Sequence, residues 1–283
     1  HDGLTQTWAE MWAHVAERFR GQDQVLGLEL MNEPFPGDAY RHPTEIIPLK
    51  PFSGDRRNMQ KAYDRIAAEV ARVDPTRLVF FAGMTWDDLG PGFSHPPGGA
   101  ERAEHSVLAY HYYYPPQLPA KTDKEASFQF KMNMKAARKL GTAAFLTETC
   151  DPICTSQAPA GPFEHVAAAA DAYFQSYASW EWKPFCRESD ASRASPSRWA
   201  EYGACITGYG PQWDGDEGPP GLPRYARTFA QAVAGTPRSM SFDPMSADKR
   251  FFLAYKMNTH IPEPTVIFAS PENYPPGQLR VEI

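Results

Sequence analysis

No apolar run in this sequence approaches the roughly 20 residues that a membrane-spanning helix needs. Clustered cations are also missing: 28 Lys and Arg stand against 34 Asp and Glu, a formal charge of −6. Phosphate binding requires basic clusters, so nucleic acid and strongly anionic surfaces are not the expected partners. Cysteine is scarce. Cys150, Cys154, Cys186 and Cys205 are the only four. An even number permits disulfides in an oxidising compartment, with connectivity open, whereas a zinc site is not expected because no His lies near a Cys at ligand-like spacing. No Gly-rich phosphate loop follows any apolar run, and there is no Asn-x-Ser/Thr sequon. No signal peptide is visible, but the chain opens at His1 without Met and reads as a piece of a longer protein.

What remains is an ordinary globular composition, 42% hydrophobic and 22% charged over 283 residues, enough for one large domain with or without a small appendage. Trp8, Met11, Trp12, Val15 and Phe19 recur at helical spacing over residues 5–20, and Gly21 supplies a stop. Val25 to Met31 is nearly all apolar, interrupted by Gly27 and Glu29, which suits a strand covered on both faces. The alternation repeats. A helix marked by Met59, Tyr63, Ile66, Val70 and Val73 ends before Pro75, and strands follow at 78–82 and 107–110. A helix at 124–140 is stopped by Gly141. A strand at 143–146, an Ala-rich helix at 165–175 and a short strand around Ser179 come next. Residues 223–233 read as a closing helix.

Strands alternating with helices predict a parallel sheet, and five of them suit part of a (β/α)8 barrel lacking its first three strands. An open doubly wound sheet is the alternative, disfavoured by the missing phosphate loop. Residues 1–236 form this unit. From 237 to 283 the short runs 240–242, 251–255, 265–268 and 279–283, separated by Pro, Asn and Gly, predict a small all-β domain.

Asn32-Glu33-Pro34 directly follows the first apolar run, and Leu146-Thr-Glu148 ends a later one. Barrel enzymes keep their catalytic groups at such strand ends. Two carboxyls facing each other about 5–5.5 Å apart are the requirement for glycoside hydrolysis with retention, one attacking the anomeric carbon while the other protonates the leaving oxygen. A single Glu at a strand end is more often a solvated charge; the pair is what shifts the balance. His111 and Tyr113 end the intervening strand and Trp180 the last one. Such groups serve sugar sites: a phenol can hydrogen-bond the nucleophile, an imidazole can assist the acid, and an indole can stack on a pyranose face.

The run Val25-Leu-Gly-Leu-Glu-Leu-Met-Asn-Glu-Pro-Phe-Pro-Gly-Asp38 resembles the acid/base strand of glycoside hydrolase family five in the form found in endoglycoceramidases. Segments 81–87, 92–98, 108–116, 145–148 and 179–185 resemble that branch in the same order, and 228–237 with the β-rich tail resembles its C-terminal sandwich. The resemblance implies Glu33 as acid/base, Glu148 as nucleophile and Asn32 as the contact to the sugar hydroxyl beside the anomeric carbon. His111, Tyr113 and Trp180 match accessory positions. It also implies a glycosphingolipid substrate cut between glycan and ceramide, with no metal or organic cofactor.

Two departures stand out. Nothing upstream of His1 supplies the basic residue and His-containing loop of the family's first strands. Thr149-Cys150 stands after the nucleophile position where the family usually has an aromatic residue and Gly, which bears on the pocket floor. Residues 36–55 and 183–221 could line a lipid groove. Pairings Cys150–Cys154 and Cys186–Cys205, or free thiols, remain open. A secreted or lumenal monomer making transient contact with a membrane surface is expected. The alternatives are an exo-acting glucosylceramide or steryl-glucoside β-glucosidase, a β-glucanase, or a non-catalytic glycolipid-binding derivative.

Overall fold

The computed structural model describes residues 2–34, 59–84, 92–113, 123–150, 162–180, 185–186, 206–207 and 226–282. Two compact units divide the chain: residues 1–118, 127–148 and 176–178 form the first, and 119–126, 149–175 and 179–283 the second.

The first unit is built on strands β1 (Gly27–Glu29), β2 (Leu78–Ala82), β3 (Ser106–Tyr112), β4 (Ala143–Cys150) and β5 (Tyr177–Trp180), the last two completed by residues of the second unit. They lie side by side in chain order as a five-stranded parallel sheet. Helices α1 (Asp2–Arg18), α2 (Gln60–Val73) and α3 (Asp123–Leu140) alternate with the strands, and a 3₁₀ helix at Ala100–His105 leads into β3. The (β/α) half-barrel expected from the sequence is the observed architecture.

Strand alternation sorts the apolar residues into two layers. Leu28, Leu30, Val79, Phe81 and Leu108 face the helices and pack with Ala9 and Ala16 of α1, Tyr63, Ile66 and Val70 of α2, and Ala137 and Leu140 of α3. On the other face Phe80, Ala82, Val107 and Ala109 pack with Leu78 and Phe145. Burial on both faces explains why these strands read as continuous apolar runs. Truncating a fully buried ring such as Phe81 removes about 3–5 kcal/mol of stability. Gly27 is required locally: a Cβ there would sit 2.5 Å from the Phe80 ring and 2.8 Å from the Leu78 carbonyl.

Local chemistry sets the connections. Gly141 adopts φ +74° after α3, with its N–H donating to the Arg138 carbonyl at 3.2 Å and that of Thr142 to Ala137 at 3.0 Å, the Schellman arrangement that glycine favours. Buried Arg77 pairs with Asp74 at 3.0 Å, donates to the Phe19 carbonyl at 2.8 Å and also reaches that of Val25. One guanidinium thereby ties the end of α1, the start of β1 and the α2–β2 turn together.

In the second unit, helix α4 (Pro162–Tyr173) packs on β9 (Gly235–Phe242). β9 pairs antiparallel with β10 (Phe251–Met257), and β8 (Phe229–Ala232) pairs antiparallel with β11 (Val266–Phe268). Short strands β6 (Phe185–Cys186) and β7 (Ile206–Thr207) pair with each other.

Three expectations change. The closing helix over 223–233 is not formed: its described part contains β8, because Phe229, Ala230 and Ala232 find strand partners in Phe268, Ile267 and Val266, and Phe229 meets Phe268 with ring centroids 5.4 Å apart. Ala and Gln favour a helix, but a short apolar run is ambiguous and pairing overrides propensity. The strand expected at 279–283 is irregular over residues 279–282. The division at 236/237 falls inside β9, so the antiparallel region begins at least as early as Phe229.

Candidate active site

In a parallel sheet all strands end on the same edge, and the candidate residues meet there. Glu33 lies just past β1, His111 and Tyr113 lie at the end of β3, and Glu148 lies near the end of β4. His111 Nδ1 is 2.9 Å from Glu33 Oε1 and 3.7 Å from Glu148 Oε2. The Tyr113 hydroxyl donates to Glu148 Oε1 at 2.5 Å. Glu33, His111 and Glu148 each present one ligand atom, all within 4.8 Å of one another.

The three differ in exposure. The His111 side chain is 12% exposed, Glu148 18% and Glu33 34%. Glu33 is therefore the more accessible carboxyl, while Glu148 is enclosed and receives the phenol. A proton on the His111–Glu33 pair can sit on Nδ1 or on the carboxyl, because either group can donate across 2.9 Å. Glu33 also adopts φ +43°, the left-handed region uncommon for a residue with a side chain, immediately before Pro34. Pro34 disfavours the ordinary helical conformation in its predecessor, and backbone of this kind costs about 1–3 kcal/mol and concentrates at functional sites.

Asn32 lies at the same strand end and is exposed. Trp180 closes β5, but its side chain lies outside the described residues. Residues 36–55, most of 183–221, Tyr114, Cys154 and Cys205 lie outside them as well, as do the side chains of Cys150 and Cys186, so the groove and the disulfide alternatives fall there. Tyr112 is buried as packing, at 2% exposure.

Two further residues belong to this neighbourhood. Glu29, on β1, accepts a hydrogen bond from Thr147 Oγ1 of β4 at 3.1 Å. Burial raises the Glu29 carboxyl above its ordinary range; the Thr147 hydrogen bond and the charge of His111 work against this, and the charge of Glu148 adds to it. The sequence held a signal for Glu29, a charged residue in a strand apolar on both faces, but that pattern reads equally as an interruption. Thr147 carried none.

Geometrically, Glu33, His111 and Glu148 could also ligate a cation, although hydrogen bonds to His111 and Tyr113 already engage both carboxylates. Two carboxyls at this spacing, an accessible one beside an imidazole and an enclosed one held by a phenol, can act as proton donor and nucleophile toward one acetal carbon.

A half-barrel with paired carboxyls at the strand ends is the arrangement found in barrel glycosidases. Residues 2–185 match the model for cellulase (glycosyl hydrolase family 5), and residues 227–283 match that for the glycoside hydrolase family 5 C-terminal domain. The chain belongs to glycoside hydrolase family 5. It is 34% identical over 254 residues to an endoglycoceramidase of Cyanea nozakii, covering 90% of this chain and 46% of that protein. It is 30% identical over 284 residues to one of Hydra vulgaris, covering 100% and 49%. The fold is shared with endo-glycoceramidase II from Rhodococcus sp., solved as a lactosyl-enzyme intermediate: TM-score 0.69, 23% identity, 97% of this chain and 56% of that one. The chain thus spans about half the length of these relatives.

Proposed function

We propose that this chain carries the catalytic pair of a retaining glycosidase that cleaves the β-glycosidic bond between glycan and ceramide in glycosphingolipids. The observation that carries the reading is the approach of Glu33 and Glu148, with oxygens within 4.8 Å and His111 beside both, which suits the direct attack of a retaining mechanism and is well short of the roughly 6.5–9.5 Å separation of inverting pairs. The endoglycoceramidases of Cyanea nozakii and Hydra vulgaris and the lactosyl-enzyme intermediate of the Rhodococcus enzyme support it.

In this mechanism Glu33 gives its proton to the ceramide oxygen as Glu148 attacks the anomeric carbon. The C–O bond to ceramide breaks and a glycosyl ester forms on Glu148. Glu33 then takes a proton from water, which attacks the same carbon and releases the glycan, restoring both carboxyls. Tyr113 holds Glu148 by the hydrogen bond to Oε1, leaving Oε2 for attack. Asn32 and Trp180 would contact the sugar, the first at the neighbouring hydroxyl and the second by stacking. No cofactor takes part. A secreted or lumenal monomer meeting its glycolipid at a membrane surface belongs to the same proposal, supported by the even cysteine number.

The test is mass spectrometry of products from a fluorescent ganglioside, with Glu148→Gln as control. Intact oligosaccharide plus ceramide, absent from the control, is expected. Glucose alone, from glucosylceramide, would replace the endo-acting reading by an exo-acting one. Binding without turnover would replace it by a carrier.

A further inference from the structure

Glu29 and Thr147 are not among the residues that the proposed chemistry uses, yet they join the two strands that carry it. In the sheet order β1-β2-β3-β4, β1 and β4 are not neighbours; two strands separate them. The backbone therefore cannot link them, and the Thr147 Oγ1 to Glu29 Oε1 hydrogen bond at 3.1 Å does so through side chains. Leu28 and Leu30 face the helices, so Glu29 between them faces the barrel interior, in register with Phe80 on β2. Phe80 packs in turn on Phe145 of β4, edge to face at 5.7 Å. The aromatic pair thus links β2 to β4, and the polar bridge reaches one strand further, from β4 to β1. Thr147 immediately precedes Glu148.

We propose that the Glu29–Thr147 bridge is a strut that sets the position of Glu148 relative to Glu33, making Glu29 and Thr147 positioning residues for the nucleophile. The inference rests on the reading of Glu148 given above. A side chain clamped at Thr147 restrains the backbone of Glu148, while Tyr113 restrains its carboxylate from β3; together they define the carboxyl by two independent anchors. Reacting groups held in near-attack geometry lose about 100-fold in rate when displaced by about 1 Å, so a strut of this kind acts on turnover more than on substrate binding. Among the described residues, the ionisable groups acting on Glu29 are His111 from β3 and Glu148 from β4.

The experiment is a double-mutant cycle of Glu29→Ala and Thr147→Val, with Glu29→Gln as the conservative variant, read by kcat and KM on the fluorescent ganglioside and by thermal unfolding. Each single variant is expected to lower kcat by about 10-fold or more with KM within about 3-fold, and the double variant should fall no further, since both remove the same strut. Glu29→Gln keeps an oxygen that accepts from Thr147 and should recover most of the lost kcat. Unchanged kcat per folded molecule in both single variants, multiplicative losses in the double, or a Gln variant as slow as Ala would overturn the proposal. If the wild type turns over no glycoside, the functional reading fails separately. The strut is then read from unfolding alone: coupled destabilisation supports it, and additive destabilisation refutes it.

Discussion

The Tyr113 hydroxyl donates to Glu148 Oε1 across 2.5 Å, from β3 to the neighbouring β4, and leaves Oε2 facing His111. Hydrogen bonds to a charged partner contribute about 1.5–3 kcal/mol, so Tyr113→Phe should lower kcat by about 10- to 100-fold while leaving the fold intact. Steady-state kinetics with circular dichroism as the folding control checks this. A Phe variant with wild-type turnover would remove Tyr113 from the site.

His111→Ala tests the hydrogen bond between Nδ1 and Glu33. Loss of a group that places a proton is expected to cost about 100-fold or more in kcat, with a changed pH profile. A profile that keeps its shape and position would show that His111 only packs.

Asp171 of α4 and Arg227 before β8 form a buried ion pair at 2.5 Å, with side chains 7% and 5% exposed. Arg227 also donates to the Phe242 carbonyl at 2.9 Å and lies over the Phe242 ring at 5.3 Å. Arg227→Ala leaves a buried carboxylate unpaired, which should destabilise by about 3–5 kcal/mol. Denaturant unfolding measures the loss, and a change below about 1 kcal/mol would contradict the burial of the pair.

Stability should respond to pH with opposite sign at two carboxyls. Burial raises Glu29 above its ordinary range, so the folded state favours its protonated form. The stability it contributes is present below the unfolded value and is lost as pH rises through the raised one. Asp74 goes the other way: burial pushes it up, but hydrogen bonds from Thr76 and Arg77 and the Arg77 charge outweigh this and hold it below its ordinary value. Its contribution is present above the unfolded value and lost as pH falls through the depressed one. Glu29→Gln should therefore gain stability relative to wild type as pH rises from 4 toward 7, whereas the deficit of Asp74→Asn relative to wild type should be present at neutral pH and shrink as pH falls below about 4. Parallel stability curves for variants and wild type would refute both assignments.

Helix α4 ends without glycine. Phe174 takes φ +52° in the position that glycine usually fills, with its N–H donating to the Asp171 carbonyl at 3.2 Å and that of Gln175 to Ala170 at 2.9 Å. The Phe174 side chain is 39% exposed, so little packing is lost on replacing it. Phe174→Gly should be stabilising or neutral, within about 1 kcal/mol, because relief of left-handed strain offsets the added freedom of the unfolded chain. A large destabilisation would show that the ring carries packing.

Much of the half-barrel was legible because its strands are buried on both faces and its helices on one. Leu78 to Ala82 is a continuous apolar run after a helix, Tyr63, Ile66 and Val70 recur at helical spacing, and Gly141 stops a helix by chemistry that is local. Where the deciding interaction is distant, the reading changed. Residues 229–232 carry helix-compatible Ala and Gln, and only pairing with β11 makes them a strand. Phe174 ended α4 with no residue to announce it.

The site divides along the same line. Sequence by itself determined that two Glu residues follow apolar strands in one family pattern, with His111, Tyr113 and Trp180 at strand ends between and after them, because residue type and strand position are local properties. Which oxygen faces which partner was a tertiary matter: Tyr113 on Oε1 of Glu148, His111 between the carboxyls, and Glu29 reaching past two strands to Thr147. Residues as far apart as Glu29 and Thr147 meet only after the strands have assembled with Phe80 packed on Phe145, and no local pattern encodes a distance set by packing between strands that are not neighbours.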